Sequence, residues 1–553
     1  PRPRDRATPT PDGFPHQKNI MSPPVATSIV TLSDTDTSTF TIPEALTIQG
    51  VAKRRAASGK LVAGVAALAD IDAFKGRTQH VHKPKAHNWH YRLTDECRAR
   101  AGNSLKAAAG FLKTPGLINL GGGLPSTDYF PFEQVAVKVS GFDAHRETDV
   151  AAGKYDMANN ISLFDIETAF QYGQGHGAAQ FLRFLVEHTE IVHNPPYQDW
   201  SCMMTVGSTS ATDMAFRMFC KPGDWILAEH FTFPAVLQAA PPMGLKVAGV
   251  EMDEHGLTAT GLDHVLSTWD ESVRGGPKPF ILYTVPTGQN PTGSTQTLQR
   301  RRHIYAVAQK HDLYILEDEP YYFLQMQPYT GPDAPDVPPP VSHADFIASL
   351  VPSFLSLDVD GRVMRMDSFS KIIAPGTRCG WITASAQICE RYRTHSDVST
   401  QGPSGMSQLI LFKLLEDHWG HAGFFDWLIH IRMEYTRRRD AILVACERYL
   451  PRDLARWVPP AAGMFHWIEI DYTKHPAYPQ KSVLEIEDEI FLKIVDHGTL
   501  LMKGSWFRAE AEAGGHEQLF LRATYASARF DQIEEAAKRL GAAILDSFGQ
   551  DTK

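Results

Sequence analysis

Seven short segments carry residue types that could act on one small molecule. Lys371 ends Ser368-Phe369-Ser370-Lys371, directly after a strand-like run at 365–369. A lysine withdrawn from water titrates lower than usual, and its neutral amine attacks carbonyl carbon to form a Schiff base. Seven residues on, Arg378 offers a guanidinium suited to a phosphate, and Ser368 and Ser370 offer hydroxyls to the same anion. In Glu317-Asp318-Glu319-Pro320-Tyr321-Tyr322, Asp318 can hold a proton on a ring nitrogen, and Tyr321 can donate to a phenolic oxygen. Asn290, in Asn290-Pro291-Thr292-Gly293, can reach the same oxygen. Gly207-Ser208-Thr209-Ser210 places Ser208 and Thr209 at a helix start, where free N–H groups attract phosphate. Phe233 could stack on a flat ring, and Arg522 could grip a carboxylate with two parallel hydrogen bonds. Each piece alone has a plainer reading: a surface lysine, a loop arginine, an acidic loop, an Asn-Pro turn, a capping serine, a core phenylalanine, a structural salt bridge.

The elements between these segments are those that would bring them together. Apolar runs of strand length at 202–206, 225–228, 280–285 and 313–316 alternate with helical patterns at 210–219 and 298–310. That alternation predicts a mostly parallel sheet with helices on both faces, and ligands in such sheets bind at the carboxyl ends of strands. Asp318 and Asn290 follow two of those runs. Lys221-Pro222-Gly223-Asp224 marks a turn between helix and strand. Helical patterns dominate after about residue 400, and strands are expected at 462–470 and 519–522, which points to a separate α+β domain. The proline-rich stretch 327–340 is expected to be a surface loop.

Composition excludes several classes. With 553 residues the chain exceeds one core and is expected to form two ordered domains. The net charge of −9 and the lack of a long basic block argue against nucleic acid as a partner. Six scattered cysteines without a C-x-x-C pair disfavour a zinc site or disulfide framework and favour a reducing compartment, taken as the cytoplasm. No apolar run is long enough for a membrane span. Residues 1–88 read as largely disordered, with proline and charge in 1–24 and hydroxyl-rich polarity in 33–41. Within them 61–68 could form a helix, and Lys53-Arg54-Arg55 reads as a solvated charge run, with organelle targeting left open. The chain opens on Pro1, so a missing or processed N-terminus is expected, with Met21 an alternative start.

In this order and spacing the segments resemble fold-type-I pyridoxal-phosphate aminotransferases. The run Leu282-Tyr283-Thr284-Val285-Pro286 through Asn290-Pro291-Thr292-Gly293, then 317–324 (EDEPYYFL), then 368–371, is similar to the aromatic and 2-aminoadipate/kynurenine subfamily. Residues 357–363 (LDVDGRV) resemble its fungal members. Gly122-Gly123-Leu124-Pro125 and Phe130-Pro131-Phe132 match the family's substrate loop. The resemblance covers about 90–545.

It implies pyridoxal 5′-phosphate held by Lys371, which then shuttles a proton. Asp318 would pair with the ring nitrogen. Asn290 and Tyr321 would bind the phenolic oxygen. Ser208, Thr209, Ser368, Ser370 and Arg378 would surround the phosphate. Phe233 stands where relatives often have tyrosine, and Thr209 where they often have glutamine. Arg522, Asn290 and Gly123 would contact substrate. Tyr172 matches a tyrosine that reaches the phosphate of a neighbouring subunit, so a homodimer with shared sites is implied. The expected division is 1–88 as extension, 89–160 as N-terminal arm and part of a small domain, 161–395 as the large cofactor domain with an insertion at 327–350, and 396–553 as the C-terminal small domain. The implied reaction moves the amino group of an aromatic amino acid, 2-aminoadipate or kynurenine to a 2-oxo acid such as 2-oxoglutarate. A β-lyase or decarboxylase on the same scaffold stays open, as does a ligand-sensing regulator.

Overall fold

The structure, a computed structural model, describes residues 44–550 apart from 59–60, 62–63, 66, 68, 77–81, 109–110, 112–115, 119, 334, 336 and 511–517. The expectations for 1–24, 33–41 and Met21 fall outside the described residues, as does half of the helix expected at 61–68. The described residues of that stretch are not helical.

The five strands expected before residue 370 join two others in one seven-stranded sheet. Its strands are β1 (Trp200–Thr205), β2 (Trp225–Glu229), β3 (Lys246–Val250), β4 (Ile281–Thr284), β5 (Tyr314–Asp318), β6 (Val363–Ser368) and β7 (Gly380–Ser385). Their spatial order is β1-β7-β6-β5-β4-β2-β3, and only β7 runs antiparallel to its neighbours. Every residue of β4, β5, β6 and β7 is buried, which explains the apolar runs of β4 and β5, while β6 buries Arg365 paired with Asp367.

Crossover helices start where the sequence supplies a cap. Thr297 accepts from the Arg300 amide to open Leu298–Lys310. Helix Ser208–Phe219 instead begins after Gly207, whose φ of 82° suits glycine. A Cβ at Gly207 would also lie 2.5 Å from Arg378 Nη2.

A second sheet, wholly antiparallel, comprises β8 (Ala455–Trp457), β9 (Phe465–Ile470), β10 (Met502–Lys503) and β11 (Leu519–Thr524), in the order β8-β9-β11-β10. The helix Gly420–Tyr449 precedes it and Phe530–Ser547 follows it. The neck of the proline-rich loop is clamped, since Arg439 Nη2 donates to the Gln327 carbonyl and Gln327 Nε2 to that of Pro338.

The segment before residue 88 departs from expectation. Residues Gly50–Ser58 form a helix, and Leu46, Val51 and Phe74 join the core. Arg54 pairs with buried Glu190, and Arg55 bridges buried Glu187 and Glu416, each at 2.6 Å. Thus Arg54 and Arg55 are not a solvated charge run. Lys75 and Lys83 also point inward, donating to the carbonyls of Trp200 and Pro195 at 2.7 Å. A charge tract cannot reveal in sequence that its partners lie more than a hundred residues away.

Candidate active site

Five strand ends deliver the site. Asp318 is the last residue of β5, and its backbone pairs in register with Met366 of β6. Lys371 lies three residues beyond β6, on a turn held by amides of Ile373 and Ala374 donating to the Phe369 carbonyl. Trp427 Nε1 fixes the next residue by donating to the Ile372 carbonyl at 2.6 Å. Asn290 sits in the loop after β4, Ser208 in the first turn after β1, and Phe233 just past β2, capping a short helix from Pro234. Arg522 comes from β11, in the other sheet.

The charges in this space are mainly positive. Lys371 is half-buried, and its amine titrates below an ordinary lysine because of burial first, then the positive charges of Arg378 and Arg522. Arg522 Nη1 donates to Asn290 Oδ1 at 2.8 Å, and its guanidinium lies between the rings of Phe465 and Phe507, 4.6 and 4.7 Å from their centres. Arg378 has φ of 48° and donates to the carbonyls of Val206 and Pro375, which tie it beside the helix start at Ser208. Ser368 Oγ donates to Ser370 Oγ at 2.9 Å.

Asp318 is the buried anion. Tyr283 Oη donates to its Oδ2 at 2.7 Å, while Oδ1 is buried without a hydrogen-bond partner among the described residues. Burial pushes the Asp318 carboxyl up to about 6, against the pull of the Tyr283 bond. Arg522 Nε is buried and likewise without a partner among the described residues, and Ser208 Oγ is buried close enough to Asp318 to favour its carboxylate. Buried polar atoms are almost always satisfied, so these mark positions for ligand atoms. A group with a protonated ring nitrogen, a phosphate and a carbonyl carbon fits that set: an acceptor at Asp318, cations and hydroxyls around Ser208 and Arg378, a nucleophile at Lys371. Tyr321 is buried, edge-on to Phe465 with centres 5.7 Å apart.

A model of the family aminotransferase class I and II matches residues 145–540. The chain belongs to this family. Within the family, an aromatic amino acid aminotransferase of Schizosaccharomyces pombe is 42% identical over 468 residues, spanning 83% of this chain and 98% of the relative. An L-tyrosine:2-oxoglutarate aminotransferase of Serpula lacrymans is 37% identical, spanning 75% and 83%. The crystal structure of the aminotransferase Aro8 from Candida albicans superposes with a TM-score of 0.79 at 40% identity, covering 84% of this chain and all of that one. This aminotransferase thus has the fold-type-I architecture, and its cofactor is pyridoxal 5′-phosphate. Among its described residues no helix is long and apolar enough to cross a membrane.

Not every expected residue meets the others. Thr209 is exposed on the helix start. Tyr172 is 62% exposed, and Gly123 is exposed with no atom within 4 Å of a built Cβ. Neither touches the Lys371 cluster within the single chain. Sequence reasoning missed Tyr283 and Trp427, because their polar atoms engage partners on other elements and both read as core aromatics. It also missed Phe465 and Phe507, which hold Arg522 from two separate segments.

Proposed function

We propose that this aminotransferase takes its amino group from an aromatic amino acid, with kynurenine and 2-aminoadipate as further donors, and passes it to 2-oxoglutarate. The observation that carries this reading is the Arg522 guanidinium clasped between Phe465 and Phe507 beside Asn290 and Tyr321. A carboxylate anchor set among aromatic walls suits a substrate with an apolar ring. The names of fungal relatives support aromatic donors and 2-oxoglutarate, and that of a mouse relative supports kynurenine and 2-aminoadipate.

Bound pyridoxal phosphate supplies an aldehyde carbon for amines and a ring that draws electrons from the carbon beside it. The residues do the rest. Lys371 would hold the cofactor through its amine, and the same amine, freed, would carry a proton to and from the substrate. Asp318 would keep the ring nitrogen protonated through Oδ1. Asn290 and Tyr321 would bind the phenolic oxygen, and Phe233 would stack on the ring. Ser208, Ser368, Ser370 and Arg378 would take the phosphate, with Thr209 at the exposed edge of that helix start. Arg522 binds the substrate carboxylate, and Gly123 would close over substrate from the N-terminal loop. In this reading the site is completed by Tyr172 of a second copy. The large domain is assigned to 161–395 and the small domain to 396–553, with the helix Gly50–Ser58 contributing Val51 to the core. Six buried free cysteines fit a reducing compartment, for which we keep the cytoplasm.

The test is a panel of amino donors with 2-oxoglutarate, following both products. Phenylalanine, tyrosine and tryptophan should yield oxo acid and glutamate in equal amounts. Ammonia or carbon dioxide as the main product would instead indicate a lyase or decarboxylase.

A further inference from the structure

Tyr283 belongs to β4, the strand beside Asp318, and its ring is wholly buried. Its hydroxyl reaches Asp318 Oδ2, which leaves the carboxylate one unused oxygen, Oδ1. Two other groups help less directly: the Ser208 hydroxyl and the charge of Arg365 also favour the Asp318 carboxylate. Arg365 on β6 makes no hydrogen bond to Asp318, being bound to Asp367 through two hydrogen bonds of 2.7 and 2.8 Å and paired with Glu317. Tyr321 and Glu229 also lie close enough to act on Tyr283 by charge, and Asp367 acts on Asp318.

We propose that Tyr283 is a positioning residue for the cofactor nitrogen. By donating to Oδ2 it keeps Asp318 ionised in a dry setting and reserves Oδ1 for the ring N–H. The proposal rests on the role given above to Asp318. The physical case is one of competition. Burial drives the Asp318 carboxyl toward its neutral form, and a neutral acid would no longer hold a proton on the ring. The Tyr283 donor on Oδ2 is the largest influence opposing that drift, ahead of Ser208 and Arg365. Burial and the Asp318 charge push the Tyr283 phenol well above its usual range, so it is a donor throughout the working pH range. The plain alternative is a tyrosine that only fills space between β4 and β5.

Tyr283→Phe keeps the ring and removes one oxygen. The apoenzyme is titrated with pyridoxal phosphate and with its 1-deaza analogue, which has C–H in place of the ring nitrogen. The holoenzyme is then loaded with cofactor labelled with nitrogen-15, and the ring nitrogen signal is read by NMR. Losing a hydrogen bond to a charged group should weaken pyridoxal phosphate about tenfold or more. Affinity for the analogue should not change, and the nitrogen signal should move toward the unprotonated position. Equal weakening of both ligands, or no change in either, overturns the proposal. Asp318→Asn is measured alongside. If it binds both ligands as the parent does, the role of Asp318 itself falls. If it discriminates between them and Tyr283→Phe does not, that role stands and Tyr283 is merely structural.

Discussion

At the scale of residues, the site combines three cations with one buried carboxylate. In the proposed reaction Lys371 is the member that touches the reacting carbon. Lys371→Ala should lower transamination by about 10⁴-fold or more, since it removes both nucleophile and proton carrier. The absorbance band of the cofactor bound to lysine should vanish with it. Arg522 acts on a different quantity. If Arg522 grips the substrate carboxylate as proposed, Arg522→Ala forfeits two charge-assisted hydrogen bonds, so apparent substrate affinity should fall by about 10–100-fold. The same change has a second signature. A positive charge near Lys371 favours its neutral form, so removing Arg522 should raise the pH at which the amine becomes reactive. Labelling of Lys371 in the apoenzyme with an amine reagent, followed against pH, reads that rise. Unchanged substrate affinity together with an unmoved labelling profile would remove Arg522 from the site.

At the scale of elements, the helix Gly50–Ser58 shows what a sequence conceals. The strand and helix runs of the large sheet were legible because burial on both faces writes continuous apolar segments. The strand-end residues Asp318 and Asn290 and the lysine turn were legible for the same reason, since the runs point to them. Arg54 and Arg55 were not, because a buried ion pair and a solvated charge look alike until the partners are placed. Placement also yields a stability argument. Burial alone would raise the Glu187 carboxyl, yet hydrogen bonds from Arg55 and His421 outweigh it and hold it at about 2. The unfolded value is 4.5, so between these pH values the unfolded chain binds the extra proton and stability rises with pH. The contribution is complete above 4.5 and is lost as pH falls through about 2. Removing one partner of a buried pair costs about 3–5 kcal/mol, against about 0–1 for a surface pair. Arg55→Ala should therefore be destabilised by an amount in the larger range at neutral pH, measured by urea unfolding. The gap from the parent should shrink as pH drops below 4.5. A constant, small difference across pH would return Arg55 to the surface.

At the scale of the whole molecule, the exposed apolar side chains of the N-terminal region need a cover. Ile118, Leu120 and Tyr129 are each more than four-fifths exposed, and Tyr172 is 62% exposed, in the single chain. Large apolar side chains exposed where they form a patch mark association surfaces. If a second copy covers them and carries Tyr172 into its neighbour's site, the two chains should complement each other. A Lys371→Ala chain supplies a good Tyr172 but no nucleophile. A Tyr172→Ala chain supplies a good Lys371 but no tyrosine for its partner. In a mixed dimer, the site built on the intact Lys371 receives the intact Tyr172, while the other site receives neither. Two weak or inactive preparations, mixed under conditions that exchange subunits, should then regain activity, with one working site per mixed dimer. If Tyr172 serves its own chain instead, each site of the mixed dimer lacks one essential group and nothing is regained. The measurement is activity after mixing, with the dimer fraction followed by sedimentation, and it separates a shared site from a dimer that is only structural.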